Sequence, residues 1–185
     1  SSEIFKRIEF HPGTAATLTG MAVIYENLQQ FKSALEVYRE VLEIRLESGN
    51  KREIANTYSN IAVTYSHMLN DTLEAIYGAS YQDSVFRNKV KVDFEEGHEA
   101  IRYNEMALEI RNEIGDTQGI SISLINLGNV YQSLGLFDKA REYFKTWLEM
   151  PGVDRDEDAK AAISLGMGKL YLFEEDFESA IQYLN

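Results

Sequence analysis

Apolar and polar positions along this chain repeat with the step of an amphipathic helix. Leu18, Met21, Ala22, Tyr25 and Leu28 fall three or four residues apart, and Phe31, Ala34, Leu35, Tyr38, Val41 and Leu42 do the same. Such spacing puts each set on one face of a helix. Turn formers interrupt the helical stretches at Ser48-Gly49-Asn50, Gly115-Asp116 and Pro151-Gly152. Gly49 and Gly115 stand where a helix commonly ends on a left-handed residue, a conformation glycine adopts at little cost. The pattern predicts an all-α chain built from pairs of helices joined by short connections.

The pairs recur with a fixed period. Ala100, Ala140 and Ala180 are 40 residues apart, as are Met21 and Ile61, and Leu127 and Met167. The remaining gaps, Ile61 to Leu127 and Ala34 to Ala100, are both 66, one period plus 26. A single insertion at about residues 69–96 reconciles every spacing. One domain over 1–185 is predicted: the end of a preceding helix at 1–13, repeat one at 14–54, repeat two with its insertion at 55–120, repeat three at 121–160 and a truncated repeat four at 161–185. Within the insertion Leu73, Ile76, Tyr77, Tyr81 and Val85 keep helical spacing, whereas Val90, Val92 and Phe94 alternate as an extended segment would. Its basic run, Arg87 to Lys91, reads as a solvated loop or as a contact surface of this protein's own.

Equivalent positions carry equivalent residues. Ala22, Ala62, Gly128 and Gly168 share one register, as do Ala34, Ala100, Ala140 and Ala180; small residues let two helices cross closely. Tyr25, Tyr65, Tyr131 and Tyr171 share another and are expected to fill the space between units. Phe31, Phe137 and Phe177 form a further set, in which Gly97 replaces the aromatic, so packing there must differ. Trp147 stands where repeat two has Ala107 and is expected against Met150 and the following turn. The series Ala22-Tyr25-Phe31-Ala34, Gly128-Tyr131-Phe137-Ala140 and Gly168-Tyr171-Phe177-Ala180 resembles the tetratricopeptide repeat signature. The period and the Leu-Glu-Ile-Arg helix ends at Arg45 and Arg111 are similar to the longer-helix branch of that family, which includes kinesin light chain and bacterial scaffold and sensor proteins. The resemblance implies a right-handed superhelical solenoid of antiparallel helix pairs whose first helices line a concave groove.

Composition narrows the function. Across 185 residues, 18 Lys and Arg face 30 Asp and Glu, a net charge of −12. Nucleic acid demands a basic surface, so it is not an expected partner. No apolar run approaches the ~20 residues of a membrane span, and charges break up the opening segment, unlike a signal peptide. The chain has no cysteine, which excludes disulfides, thiolate metal sites and a cysteine nucleophile. It also fits a reducing compartment, so cytoplasmic placement is the expectation. His11, His67 and His98 are far apart and form no zinc-binding helical pair. Gly166-Met167-Gly168-Lys169 lacks the spaced glycine and the hydroxyl residue of a phosphate loop. Asp154, Asp156 and Asp158 lack the glycine of a calcium loop and read as carboxylates favoured at a helix N-terminus. No metal, cofactor or catalytic residue is predicted, and the chain is not expected to be an enzyme.

The groove remains as the expected site. By phase, positions two, five, six, nine, twelve and thirteen of each first helix face the concavity. These are Asn56, Ser59, Asn60, Val63, Ser66 and His67 in repeat two, and Ile122, Ile125, Asn126, Asn129, Gln132 and Ser133 in repeat three. Asn126 and Asn129 carry amides that either donate to and accept from a peptide backbone or bridge neighbouring helices. Lys169 is the lone base at these positions, so the Lys- and Arg-based clamp by which some family members hold chaperone tails is not expected. The prediction is a protein-interaction module for a peptide or protein segment of basic or apolar character. A peptide-sensing regulatory domain and a self-associating spacer are the alternatives. Ile4, Phe5, Ile8 and Phe10 resemble the end of a preceding second helix, and no polar capping helix follows Leu184. A piece of a longer repeat protein, with exposed ends able to pair, is therefore expected.

Overall fold

The computed structural model describes residues 12–78, 94–151 and 157–184. They form α1 (Pro12–Asn27), α2 (Phe31–Ser48), α3 (Lys51–Tyr77), α4 (Glu95–Glu113), α5 (Thr117–Ser133), α6 (Phe137–Leu148), α7 (Glu157–Phe173) and α8 (Phe177–Leu184). Each helix packs on the next, and α3 also touches α5, as α5 touches α7. Helix pairs stacked in a row, first helices side by side, require that pattern. The chain is an all-α solenoid. The apolar segment at residues 4–10 and the basic run of the insertion lie outside the described residues, as do Asp154 and Asp156.

Local chemistry explains where the helices stop. Gly49 and Gly115 have φ of 70° and 66°; the Gly49 N–H donates back to the Arg45 carbonyl, closing α2. The turns inside the first, third and fourth pairs share one geometry. Gln29, Gly135 and Glu175 occupy one register, with φ of 57°, 70° and 61°. One residue further on, Gln30, Leu136 and Asp176 donate to the carbonyls of Tyr25, Tyr131 and Tyr171. At that register the second pair has Leu69, which stays helical and fully buried. So α3 runs on to Tyr77, 27 residues against 16 or 17 in α1, α5 and α7. Leu69 and Leu73 bury the extension against Ala100, Val130 and Leu134. Phe94, extended at φ −112° and ψ 138°, leads into α4.

The close crossings form where the small residues stand. The Phe144 ring lies against Gly128, where a Cβ would collide with it. A Cβ on Gly168 would sit 2.6 Å from Leu184. Gly97, lacking the expected aromatic, is instead covered by Leu134, with 2.8 Å left for a Cβ. The tyrosine register is organised as pairs. Tyr65–Tyr103, Tyr131–Tyr143 and Tyr171–Tyr183 stack within their helix pairs, with ring centroids 6.0, 5.4 and 5.5 Å apart and planes within 16°. Burial raises the phenol pKa of Tyr143 to about 12 and also raises that of Tyr131.

Two features depart from the sequence pattern. Met21 and Leu28, expected on a buried face, are 39% and 61% exposed. The equivalents of Met21, Ile61 and Leu127, are fully buried, and Leu134, an equivalent of Leu28, is buried too, because α2 and α4 pack against α3 and α5. Among the described residues no helix covers that face of α1. Trp147 is wholly buried in a cluster with Phe144, Ile163, Met167 and Leu170, with Met150 at its edge. It is core of the contact between the third and fourth pairs rather than a local plug for its turn, and its indole N–H donates to Ser121.

Candidate functional site

The faces of α3 and α5 that look toward each other enclose a cleft of about 190 Å³. Val63, Ser66, His67, Leu69 and Asn70 line it from α3, and Asn126, Asn129, Val130 and Ser133 from α5. Val63, Ser66, His67 and Asn70, spread over about two turns of α3, share this side because they recur at three- and four-residue intervals. Ser66 donates to the Ala62 carbonyl at 2.9 Å and Ser133 to the Asn70 carboxamide oxygen at 3.3 Å. The His67 ring lies 5.8 Å from that of Phe31 at the start of α2. The carboxamides of Asn126 and Asn129 have no hydrogen-bond partner among the described residues, so they do not bridge helices. Asn126 is half-buried and Asn129 exposed, and both open into the cleft.

The other expected groove residues lie outside the cleft wall. Ile122 is exposed on α5, Gln132 is half-buried, and Lys169 is exposed on α7. Asn60 is half-buried, its carbonyl accepting from Thr64 at 2.9 Å. Ser59 is buried rather than open, and its hydroxyl has no hydrogen-bond partner among the described residues. Its register leans toward the second helix of the pair, as Ile125 does in packing against the Phe144 cluster. Asn56 is exposed, and its carboxamide oxygen accepts from Arg111 Nη2 at 3.1 Å. Asn70 and Leu69 are cleft residues that the sequence reading assigned to the insertion. The signal for Asn70 was the continued helical step from Val63, Ser66 and His67.

Beneath this face lies a network of buried polar groups. Arg111, 2% exposed, donates through Nη1 to Ser123 at 2.7 Å as well as to Asn56. Burial lowers its pKa from the ordinary arginine value, and Asp116 opposes that; a guanidinium stays protonated all the same. Asp116 caps α5 by accepting from the Gly119 N–H at 3.2 Å, and it also lies 3.6 Å from Arg52. Arg45, at the same register one pair earlier, donates to Thr57 at 2.7 Å. Glu26 of α1 is similarly occupied, accepting from Tyr38 at 2.9 Å and from Thr64 at 2.6 Å. None of the twelve groove-register positions on α3 and α5 is Asp, Glu, Lys or Arg, in a chain with 30 acids. The face is therefore polar but carries no fixed charge. Among the described residues no three metal-ligating side chains cluster, and no helix is long and apolar enough to cross a membrane.

Comparison with known proteins agrees with this architecture. A family model described as tetratricopeptide repeat matches residues 13–77 and 91–151. Response regulator aspartate phosphatase A of Bacillus subtilis is 24% identical over 207 residues, covering 98% of this chain and 54% of that protein. Tetratricopeptide repeat protein 29 of Trypanosoma brucei brucei is 22% identical over 174 residues, covering 92% of this chain and 31% of that protein. The chain thus spans about half the length, or less, of these relatives. The comparisons do not place it in the kinesin light chain branch.

Proposed function

Because this chain belongs to the tetratricopeptide repeat family, we propose that it is a binding module without catalytic activity, holding an extended peptide or protein segment along the face shared by α3 and α5. Stacked pairs present an extended concave surface, which suits a segment rather than a compact small molecule. The observation that carries the reading is the pair of free carboxamides, Asn126 and Asn129, opening into the cleft. A carboxamide has both donor and acceptor, so it can match a peptide group on the bound segment. With no fixed charge on the face, recognition there rests on backbone hydrogen bonds and apolar side chains. The acidic body, at −12, favours encounter with segments whose flanks are basic. Cytoplasmic residence, in keeping with the absence of cysteine, is part of the proposal.

The test uses a net-neutral dodecapeptide selected from a displayed random library on the wild-type protein. The double variant Asn126→Ala/Asn129→Ala is expected to bind it at least tenfold more weakly, measured by fluorescence anisotropy, with an unchanged helical circular dichroism spectrum. Equal affinity would remove the groove assignment.

A second reading draws on the Bacillus relative, which is named for an action on response regulators and is similar to 98% of this chain through 54% of its own length. In that reading the repeats are the sensing part of a regulator, and an occupied groove changes the pitch of the solenoid. Small-angle scattering with and without the dodecapeptide separates the two: a constant radius of gyration leaves the passive module standing.

A further inference from the structure

The Arg111 contacts go beyond holding helices together. Arg111 comes from α4, on the second-helix side, and reaches an exposed residue on the groove face of α3. Its two terminal nitrogens are divided between two first helices, Nη2 on Asn56 of α3 and Nη1 on Ser123 of α5. A guanidinium has donors only. The Asn56 atom facing it must therefore be the carboxamide oxygen, and the orientation of that amide is settled by chemistry. With that oxygen turned to the guanidinium and one of its two lone pairs engaged, the two N–H donors are the side of the amide that Asn56 offers to anything lying over it. Asn126 and Asn129, by contrast, keep donor and acceptor both open.

We propose that Arg111 is a positioning residue which fixes the Asn56 carboxamide with its N–H donors presented to the groove, so that a bound segment places a carbonyl oxygen over the start of α3. The proposal rests on the groove reading given above. The other pairs supply the controls. Arg45 holds the same register and makes the equivalent bond to Thr57, but the groove position that corresponds to Asn56 there is Ala16, which has no amide to orient. In the third pair the arginine register is Pro151, and the groove position that corresponds to Asn56 there is Ile122. Only at Arg111 does a buried cation meet a groove carboxamide among these positions. Arginine suits the task because its rigid fork can serve two acceptors on different helices, where an ammonium is a single point charge.

Asn56→Asp separates positioning from mere structure. It keeps an oxygen on Arg111, with a stronger charge-assisted bond, but removes both N–H donors. The variant is expected to melt at or above the wild-type temperature while binding the neutral dodecapeptide about tenfold more weakly, one lost hydrogen bond's 1.4 kcal/mol. Arg111→Lys is expected to weaken the same peptide by a smaller factor and to shift the Asn56 side-chain amide resonances in the free protein. Arg45→Lys should leave affinity unchanged. Wild-type affinity in Asn56→Asp, alongside weakened Asn126→Ala/Asn129→Ala, would sink this inference alone. Wild-type affinity in the double alanine variant would sink the groove reading and this inference with it.

Discussion

Between α4 and α5 the solenoid buries Arg111 against Ser123; between α6 and α7, at the next contact of the same kind, it buries Trp147, Phe144, Ile163 and Met167. All the buried polar residues among those described, Thr57, Ser59, Thr64, Asn104, Arg111 and Ser123, lie on α3, α4 or α5. Asn104 even holds the register that Tyr38, Phe144 and Leu184 fill with large side chains. The period and the close crossings are the same in both regions, so the repeat prescribes spacing and leaves the chemistry of each contact free. Apolar burial contributes more stability per contact. Hydrogen bonds contribute less, since they replace bonds to water, but they are directional and orient particular groups. The polar region is also where the candidate groove lies.

The largest test of this contrast is Trp147→Ala. Removing a wholly buried indole is expected to cost about 3–5 kcal/mol, through lost transfer energy and the cavity left behind. Urea unfolding measures it, and a loss below about 1 kcal/mol would mean the apolar contact is not what holds the fourth pair. Asn104→Leu should act in the opposite direction. The Asn104 side chain is fully buried and donates to the Ala100 carbonyl at 3.1 Å, and its oxygen has no partner among the described residues. Relieving an orphaned buried acceptor is expected to stabilise by about 1 kcal/mol. A comparable destabilisation would instead reveal a partner for that oxygen.

The smallest effect is a pH dependence confined to the alkaline side. Burial raises the phenol pKa values of Tyr131 and Tyr143, the latter to about 12, above the ordinary value near 10. A folded-state pKa above the unfolded one means this contribution is complete below pH ~10 and is lost as pH rises toward the folded value. Unfolding free energy should therefore decline between about pH 10 and 12, accompanied by late-appearing phenolate absorbance. Phenolate forming in one step near pH 10 would show that the stacked pairs are open to water.

Much of the fold was legible because it is written in local steps. Helical spacing, the 40-residue period, the small residues at crossings and the glycine stops need no knowledge of distant contacts. Even the run-on of α3 has a local sign, Leu69 where Gln29, Gly135 and Glu175 turn left-handed. The Tyr65 register was legible as space-filling, but its stacking partners Tyr103, Tyr143 and Tyr183 were not, since pairing depends on how two helices face. For the candidate site, phase alone named Asn126, Asn129 and His67. It missed Asn70 because the residue was counted with an insertion, and it misplaced Ser59 because phase gives a direction without saying how closely a neighbouring helix approaches.

Sequence by itself determined the helices, their pairing and the order of the stack, since each depends on residues within one or two turns or on an exact repeat. Tertiary structure alone decided which polar groups are engaged within the protein and which are not engaged among the described residues. Asn56 and Asn126 look alike along the chain. A guanidinium 55 residues away occupies the first and nothing described occupies the second, because hydrogen-bond satisfaction is set by distances across helices, which no local pattern encodes.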